Sequence, residues 1–106
     1  MIRLIRYKVK PEQAAENERL VRAVFDVLRD LKPSGLRYTT LKGDDGVTFV
    51  HLVSHESDSS RDTLTSLPAF KAFSAGVRER CSEPPVITEL GVVGSYGFFD
   101  GAGTHG

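Results

Sequence analysis

Residues 11–32, PEQAAENERLVRAVFDVLRDLK, constrain the fold more than any other stretch of this chain. Leu20, Val24, Leu28 and Leu31 recur at helical spacing, and Val21, Phe25 and Val27 widen the stripe. Arg19, Arg22, Asp26, Arg29 and Asp30 fill the opposite side. Pro11 suits a first helical turn, where a missing N–H breaks no intrahelical bond. KPSG at 32–35 ends the helix. A helix with one apolar stripe must lay it against another layer. The preceding segment, IRLIRYKV at 2–9, begins that layer: it alternates apolar and basic residues and is rich in Ile and Val, as a strand should be.

The rest of the chain supplies more strands and a second helix. LRYTTL (36–41) and VTFVHLVSH (47–55) read as strands joined through KGDDG. Either a two-residue Asp45-Gly46 turn or a four-residue loop from Gly43 to Gly46 would serve. ESDSSRDTLTS (56–66) reads as a polar surface loop. In LPAFKAFSAGVRERC (67–81), Phe70, Phe73, Val77 and Cys81 share a helical face, Ser66 can cap the start, and Pro84-Pro85 would stop the helix. VITELGVVGSYGFF (86–99) reads as a long last strand whose Gly91, Gly94 and Gly97 imply bends or bulges. The order strand, helix, strand, strand, helix, strand is that of an α+β, ferredoxin-like βαββαβ domain, a four-stranded antiparallel sheet with both helices on one face. That domain spans 1–99, and DGAGTHG (100–106), with His105, is expected to be a flexible tail.

Composition removes several function classes. Lys plus Arg and Asp plus Glu each number 14, so there is no basic footprint for nucleic acid or an anionic membrane. Cys81, the lone cysteine, can form neither an internal disulfide nor a zinc site. The start, MIRLIRYKVK, is too interrupted by charge for a signal peptide, and no apolar run reaches membrane-spanning length. A cytoplasmic protein is the expectation. The sheet adds another: with both helices on one face, Val50 and Leu52 or Leu41 would lie bare on the other, a patch monomers rarely keep. A homodimer packed sheet to sheet resolves this, and the last strand could cross to the partner.

Two of the three histidines stand in FVHLVSHE, 49–56. In a strand His51 and His55 lie about 13 Å apart, whereas a zinc-to-nitrogen bond is only about 2.0 Å, so no metal site is expected. His55 reads as a solvated strand end beside Glu56. His51 lies mid-strand among apolar residues. An Asp45-Gly46 turn would pair it with Thr40, and a turn centred on Asp44-Asp45 would pair it with Tyr38. Both place Tyr38, Thr40, Phe49 and His51 on one sheet face. Of Arg6 and Tyr7, only one can join them. The cluster is either a binding pocket with His51 as general base or donor, or a core histidine satisfied by Tyr38 or Thr40. Arg78, Glu79 and Arg80 read as an exposed charged face.

PSGLRY entering the second strand, DDGVTFVHLVSHE across the hairpin and LPAFKAF opening the second helix carry a resemblance that covers Ile2 to Phe99. The chain resembles the dimeric α+β barrel superfamily, in particular the antibiotic biosynthesis monooxygenase-like proteins. That resemblance implies a homodimer whose two sheets form a barrel with the helices outside. Some members oxidise aromatic polyketide-type compounds with molecular oxygen and need no metal or flavin. Others degrade haem, isomerise lactones or decompose peroxidase dyes. The haem-degrading branch is a poor match. Ser74 stands where it has a histidine ligand, Leu64 or its neighbours where it has a tryptophan, and the only asparagine, Asn17, is in the first helix rather than a strand.

Two functions follow as expectations. One is a cofactor-independent monooxygenase acting on a small aromatic compound, with His51 as base, Tyr38 and Thr40 orienting the ligand, and Phe49 or Phe73 walling its ring. The other is a non-catalytic homodimer that binds a small molecule or serves a stress response. A module that augments another protein's sheet with its last strand is a third reading.

Overall fold

The computed structural model describes residues 2–98; Phe99 and the tail expected at 100–106 lie outside the described residues. The chain runs β1 (Ile2–Val9), a 3-10 turn (Pro11–Gln13), α1 (Ala14–Leu31), β2 (Leu36–Lys42), β3 (Thr48–His55), α2 (Asp58–Ser66), α3 (Pro68–Ala75), α4 (Val77–Arg80) and β4 (Cys81–Leu90). The strands form one antiparallel sheet in the order β2-β3-β1-β4. This is the ferredoxin-like α+β arrangement read from the periodicities.

Local chemistry explains the element ends. Pro11 opens the 3-10 turn that leads into α1. The helix closes at Lys32, which adopts a left-handed φ of 48° and donates its N–H to the Leu28 carbonyl. Gly35 follows with φ +74°, and a Cβ there would come within 2.6 Å of Ser60 Oγ, so only glycine fits.

The hairpin combines the two turns weighed above. Gly46 N–H bonds the Gly43 carbonyl, a tight turn centred on Asp44-Asp45, yet the register pairs Thr40 with His51. The tight turn sits inside a four-residue loop, 44–47, closed by Gly43 N–H on the Thr48 carbonyl, so Gly46 and Val47 together shift the pairing by two positions and keep the same face. The Asp45 carboxylate accepts from both backbone N–H groups of Val47 and Thr48 and from the Thr48 hydroxyl. These bonds draw its pKa down to about 2.

Several expectations are corrected. The polar stretch 56–66 is largely the helix α2, not a loop: Ser57 caps it by accepting from Ser60 N–H, and Leu64 is the only large apolar side chain it buries. One buried leucine in nine residues leaves too weak a stripe to read. Ser66 does not cap the next helix, since its hydroxyl turns back to the Thr63 carbonyl. The second predicted helix breaks at Gly76 into α3 and α4. Pro84-Pro85 lie inside β4, which begins at Cys81 rather than at 86. An edge strand has one side without ladder partners, so the missing N–H groups are tolerated there. Residues 91–98 are not strand.

The core between sheet and helices holds Tyr7, Val9, Val21, Val24, Phe49, Val53, Leu64, Leu67 and Phe73. The stripe of α1 is rotated from the expected one: Leu31 is exposed, and Asn17 is wholly buried beside Val21 and Val24. On the sheet's other face, residues alternate out of register with the core. Leu4, Val50 and Leu52 are half-buried there, and Leu41, Val86 and Leu90 are exposed. Among the described residues no helix is long and apolar enough to cross a membrane.

Candidate active site

His51 sits in the middle of β3 on the face covered by the helices, and it is 3% exposed. Its neighbours come from both adjacent strands. Tyr38 and Thr40 of β2 reach Nδ1, with oxygens at 2.7 and 3.1 Å. From β1, Tyr7 places its hydroxyl 2.8 Å from Nε2. Of the Arg6–Tyr7 pair it is therefore the tyrosine that joins the cluster.

Aromatic rings pack around the imidazole. Ring centroids lie 5.4 Å away for Tyr7, 5.8 Å for Tyr38 and 5.3 Å for Phe73. Phe49 stacks on Tyr7 at 5.7 Å and so supports the site from behind.

Beside this cluster is a cavity of about 200 Å³ lined by Ile5, Tyr7, Tyr38, His51, Val53, Leu64, Phe70, Phe73, Val77 and Pro85. Among the described residues, the polar side chains lining it are Tyr7, Tyr38 and His51. Apolar cavities with a few convergent polar groups are the usual form of ligand sites, and this one is smaller than the usual range of about 300–1,000 Å³, a size for a small ligand. Of the residues predicted to contact a ligand, Tyr38, His51 and Phe73 line the cavity. Thr40 and Phe49 do not; the first backs the imidazole and the second backs Tyr7. A broader depression of about 480 Å³ lies at the start of α2, but Glu56, its one ionisable lining residue, is exposed.

Burial sets the charge state. It lowers the His51 pKa to about 4 and pushes Tyr38 up to about 12, against a hydrogen bond from Thr40. Tyr7 is also raised by burial, opposed by its bond from Asn17. Near neutral pH the imidazole is uncharged and both phenols keep their protons. No group of three or more metal-ligating side chains occurs among the described residues.

Two contributors escaped the sequence reading. Asn17 Nδ2 donates to the Tyr7 hydroxyl at 2.9 Å, and Arg80 Nε donates to Asn17 Oδ1 at 3.0 Å. Arg80, expected on an exposed face, is 7% exposed, with its guanidinium over the Phe73 ring and bonded to the Phe73 carbonyl. The signal was available. Asn17 precedes Val21 by four residues and Val24 by seven, and Arg80 follows Phe73 by seven and Val77 by three, so each polar residue occupies an apolar stripe.

No protein-family model matches the chain, and no curated sequence is significantly similar to it. Solved structures are similar along most of its length. The Rv0793 protein of Mycobacterium tuberculosis superposes with a TM-score of 0.71 at 21% identity, covering 89% of this chain and 95% of its own. This chain shares the ferredoxin-like α+β fold of that protein. A Nitrosomonas europaea protein provisionally assigned as such a monooxygenase gives a TM-score of 0.70 at 14% identity, with 87% and 88% of the two chains covered. For one from Caulobacter crescentus, assigned in the same provisional way, the values are 0.67, 23%, 88% and 89%. The shared fold thus accommodates very different sequences, so the chemistry of the site depends on its own residues.

Proposed function

We propose that the chain is a cofactor-independent monooxygenase-like protein that oxidises a small aromatic compound bearing a hydroxyl group, and that it works as a homodimer. The observation that carries the first part is the uncharged, buried imidazole on the wall of an otherwise apolar cavity. A phenol or naphthol matches such a wall, with ring carbons against Ile5, Val53 and Phe73 and the hydroxyl at the polar end. Provisional assignments of structurally similar proteins as antibiotic biosynthesis monooxygenases agree with this reading.

The chemistry requires a base and exclusion of water. His51 takes the hydroxyl proton, leaving an aryloxide rich enough to pass one electron to oxygen. The resulting aryloxyl radical and superoxide join at the ring carbon para to the oxygen. His51 returns its proton to the peroxide so formed, and loss of water gives the quinone. One oxygen atom enters the product and the other leaves as water. Tyr38 orients the hydroxyl, and the aromatic wall keeps the intermediate dry.

The homodimer reading rests on the uncovered sheet face, where Leu4, Val50 and Leu52 adjoin the exposed Leu41, Val86 and Leu90. A second copy would cover them.

Oxygen uptake in the presence of 1-naphthol and anthrone tests the activity. Wild type is expected to consume oxygen above the uncatalysed rate, and His51→Ala to lose about 10²-fold or more, the usual contribution of a positioned base. Equal uptake by wild type and variant would remove His51 from the mechanism.

A further inference from the structure

The arm behind the imidazole contains more order than a ligand pocket needs. Arg80 Nε–H can only donate, so the group facing it must be Asn17 Oδ1, and the Asn17 amide nitrogen must then face Tyr7. Arg80 is itself fixed, bonded to the Phe73 carbonyl at 2.7 Å. It also lies so close to Gly76 that a Cβ there would meet its guanidinium at 3.0 Å. The direction of the whole chain of bonds follows. Tyr7 oxygen accepts from Asn17, which leaves the Tyr7 hydrogen to point at His51 Nε2, 2.8 Å away. An Nε2 that accepts cannot carry a proton, so the proton of the neutral ring is on Nδ1, donated toward Tyr38 and Thr40. The opposite tautomer would make Tyr7, which is 1% exposed, accept twice and strand its own hydrogen, which is costly. Tyr38, the acceptor in the favoured tautomer, is half-buried and can turn its hydrogen to the cavity it lines.

We propose that Tyr7, Asn17 and Arg80 form a positioning relay that fixes the His51 proton on Nδ1 and makes Nε2, reached through the Tyr7 hydroxyl, the proton-accepting atom of the pocket. Tyr7 lines the cavity and Asn17 and Arg80 do not. A ligand proton therefore passes to the Tyr7 oxygen as the Tyr7 proton moves to Nε2. This O–H bond breaks as that N–H bond forms, and no oxidant is involved. Asn17 and Arg80 act only by setting the direction of the Tyr7 hydroxyl. The inference rests on the reading of this pocket as the site, but it is tested on the ligand-free protein, so the two can fail separately.

The test is two-bond proton–nitrogen NMR of the His51 ring in histidine-labelled protein at neutral pH. Wild type is expected to show the Nδ1–H form by about tenfold or more over Nε2–H, the population that a stranded hydroxyl hydrogen implies. Asn17→Asp keeps the shape and the bond to Arg80 but replaces the donor facing Tyr7 with an acceptor. The Tyr7 hydrogen then turns to the carboxylate, and His51 is expected to switch to Nε2–H. A passive, space-filling asparagine would produce no such reversal. Should Asn17→Asp not fold, Tyr7→Phe serves: it removes the Nε2 partner, and the Nδ1–H preference should collapse toward a mixture. Wild type in the Nε2–H form, Asn17→Asp retaining Nδ1–H, or Tyr7→Phe retaining the full wild-type preference would each overturn the relay.

Discussion

At the scale of residues, the site is governed by one imidazole kept uncharged. An unfolded histidine titrates near 6.5, while burial lowers His51 to about 4 in the folded chain. Above pH 6.5 both states are neutral there and the stabilising contribution of this residue is intact. As pH falls from 6.5 toward 4 the unfolded chain takes up the proton first, and stability drops by up to about 3 kcal/mol. Urea unfolding of wild type and His51→Phe across pH 4–7 checks this. Wild type should lose stability relative to the variant as the solution is acidified. Parallel curves would mean that His51 is solvated or paired with a charge. His51, Tyr38 and Thr40 were legible as a cluster because strand alternation and an even hairpin register fix their common face. Whether that face looks at the helices or away from them depends on how the α1 and α3 stripes dock, which the strand pattern alone does not carry. Phe49 was placed on the correct face but one layer back, since alternation says nothing of depth.

At the scale of elements, strong periodicity was readable and weak periodicity was not. The stripe of α1 and the alternation of β1 and β3 each bury several side chains, so their patterns stand out. In α2 the stability comes from a cap and one leucine, and in β4 most side chains are exposed, leaving little pattern in either sequence. Ser57→Ala should therefore matter locally. Losing the bond to Ser60 N–H is expected to cost about 1 kcal/mol, with faster amide exchange confined to the first turn of α2. Unchanged exchange there would show that the first-turn N–H groups are satisfied by other means. Gly35 belongs to the same account, because its αL turn and its contact with Ser60 dock α2 on the end of β2.

For the whole molecule, the two faces of the sheet divide the labour. One face packs on the helices and holds the cavity, and the other carries the uncovered aliphatic side chains on which the proposed homodimer rests. In that proposal the dimer and the pocket are separable. Leu52, half-buried at the centre of the outer face, is the place to separate them. Leu52→Glu is expected to halve the mass measured by light scattering while leaving the His51 ring signals in place. A variant that keeps the wild-type mass would move the interface elsewhere, and a wild type that is already monomeric would end the dimer reading.

In the proposed function a small hydroxylated aromatic compound binds against His51. Thermal unfolding of wild type and His51→Ala against phenols, naphthols, anthrones, quinones and haem tests it directly. A phenol or naphthol is expected to raise the wild-type midpoint in a concentration-dependent way, by mass action on the folded state, and to raise that of His51→Ala much less. No shift across the panel, or an equal shift in both proteins, would contradict it and make His51 a structural histidine.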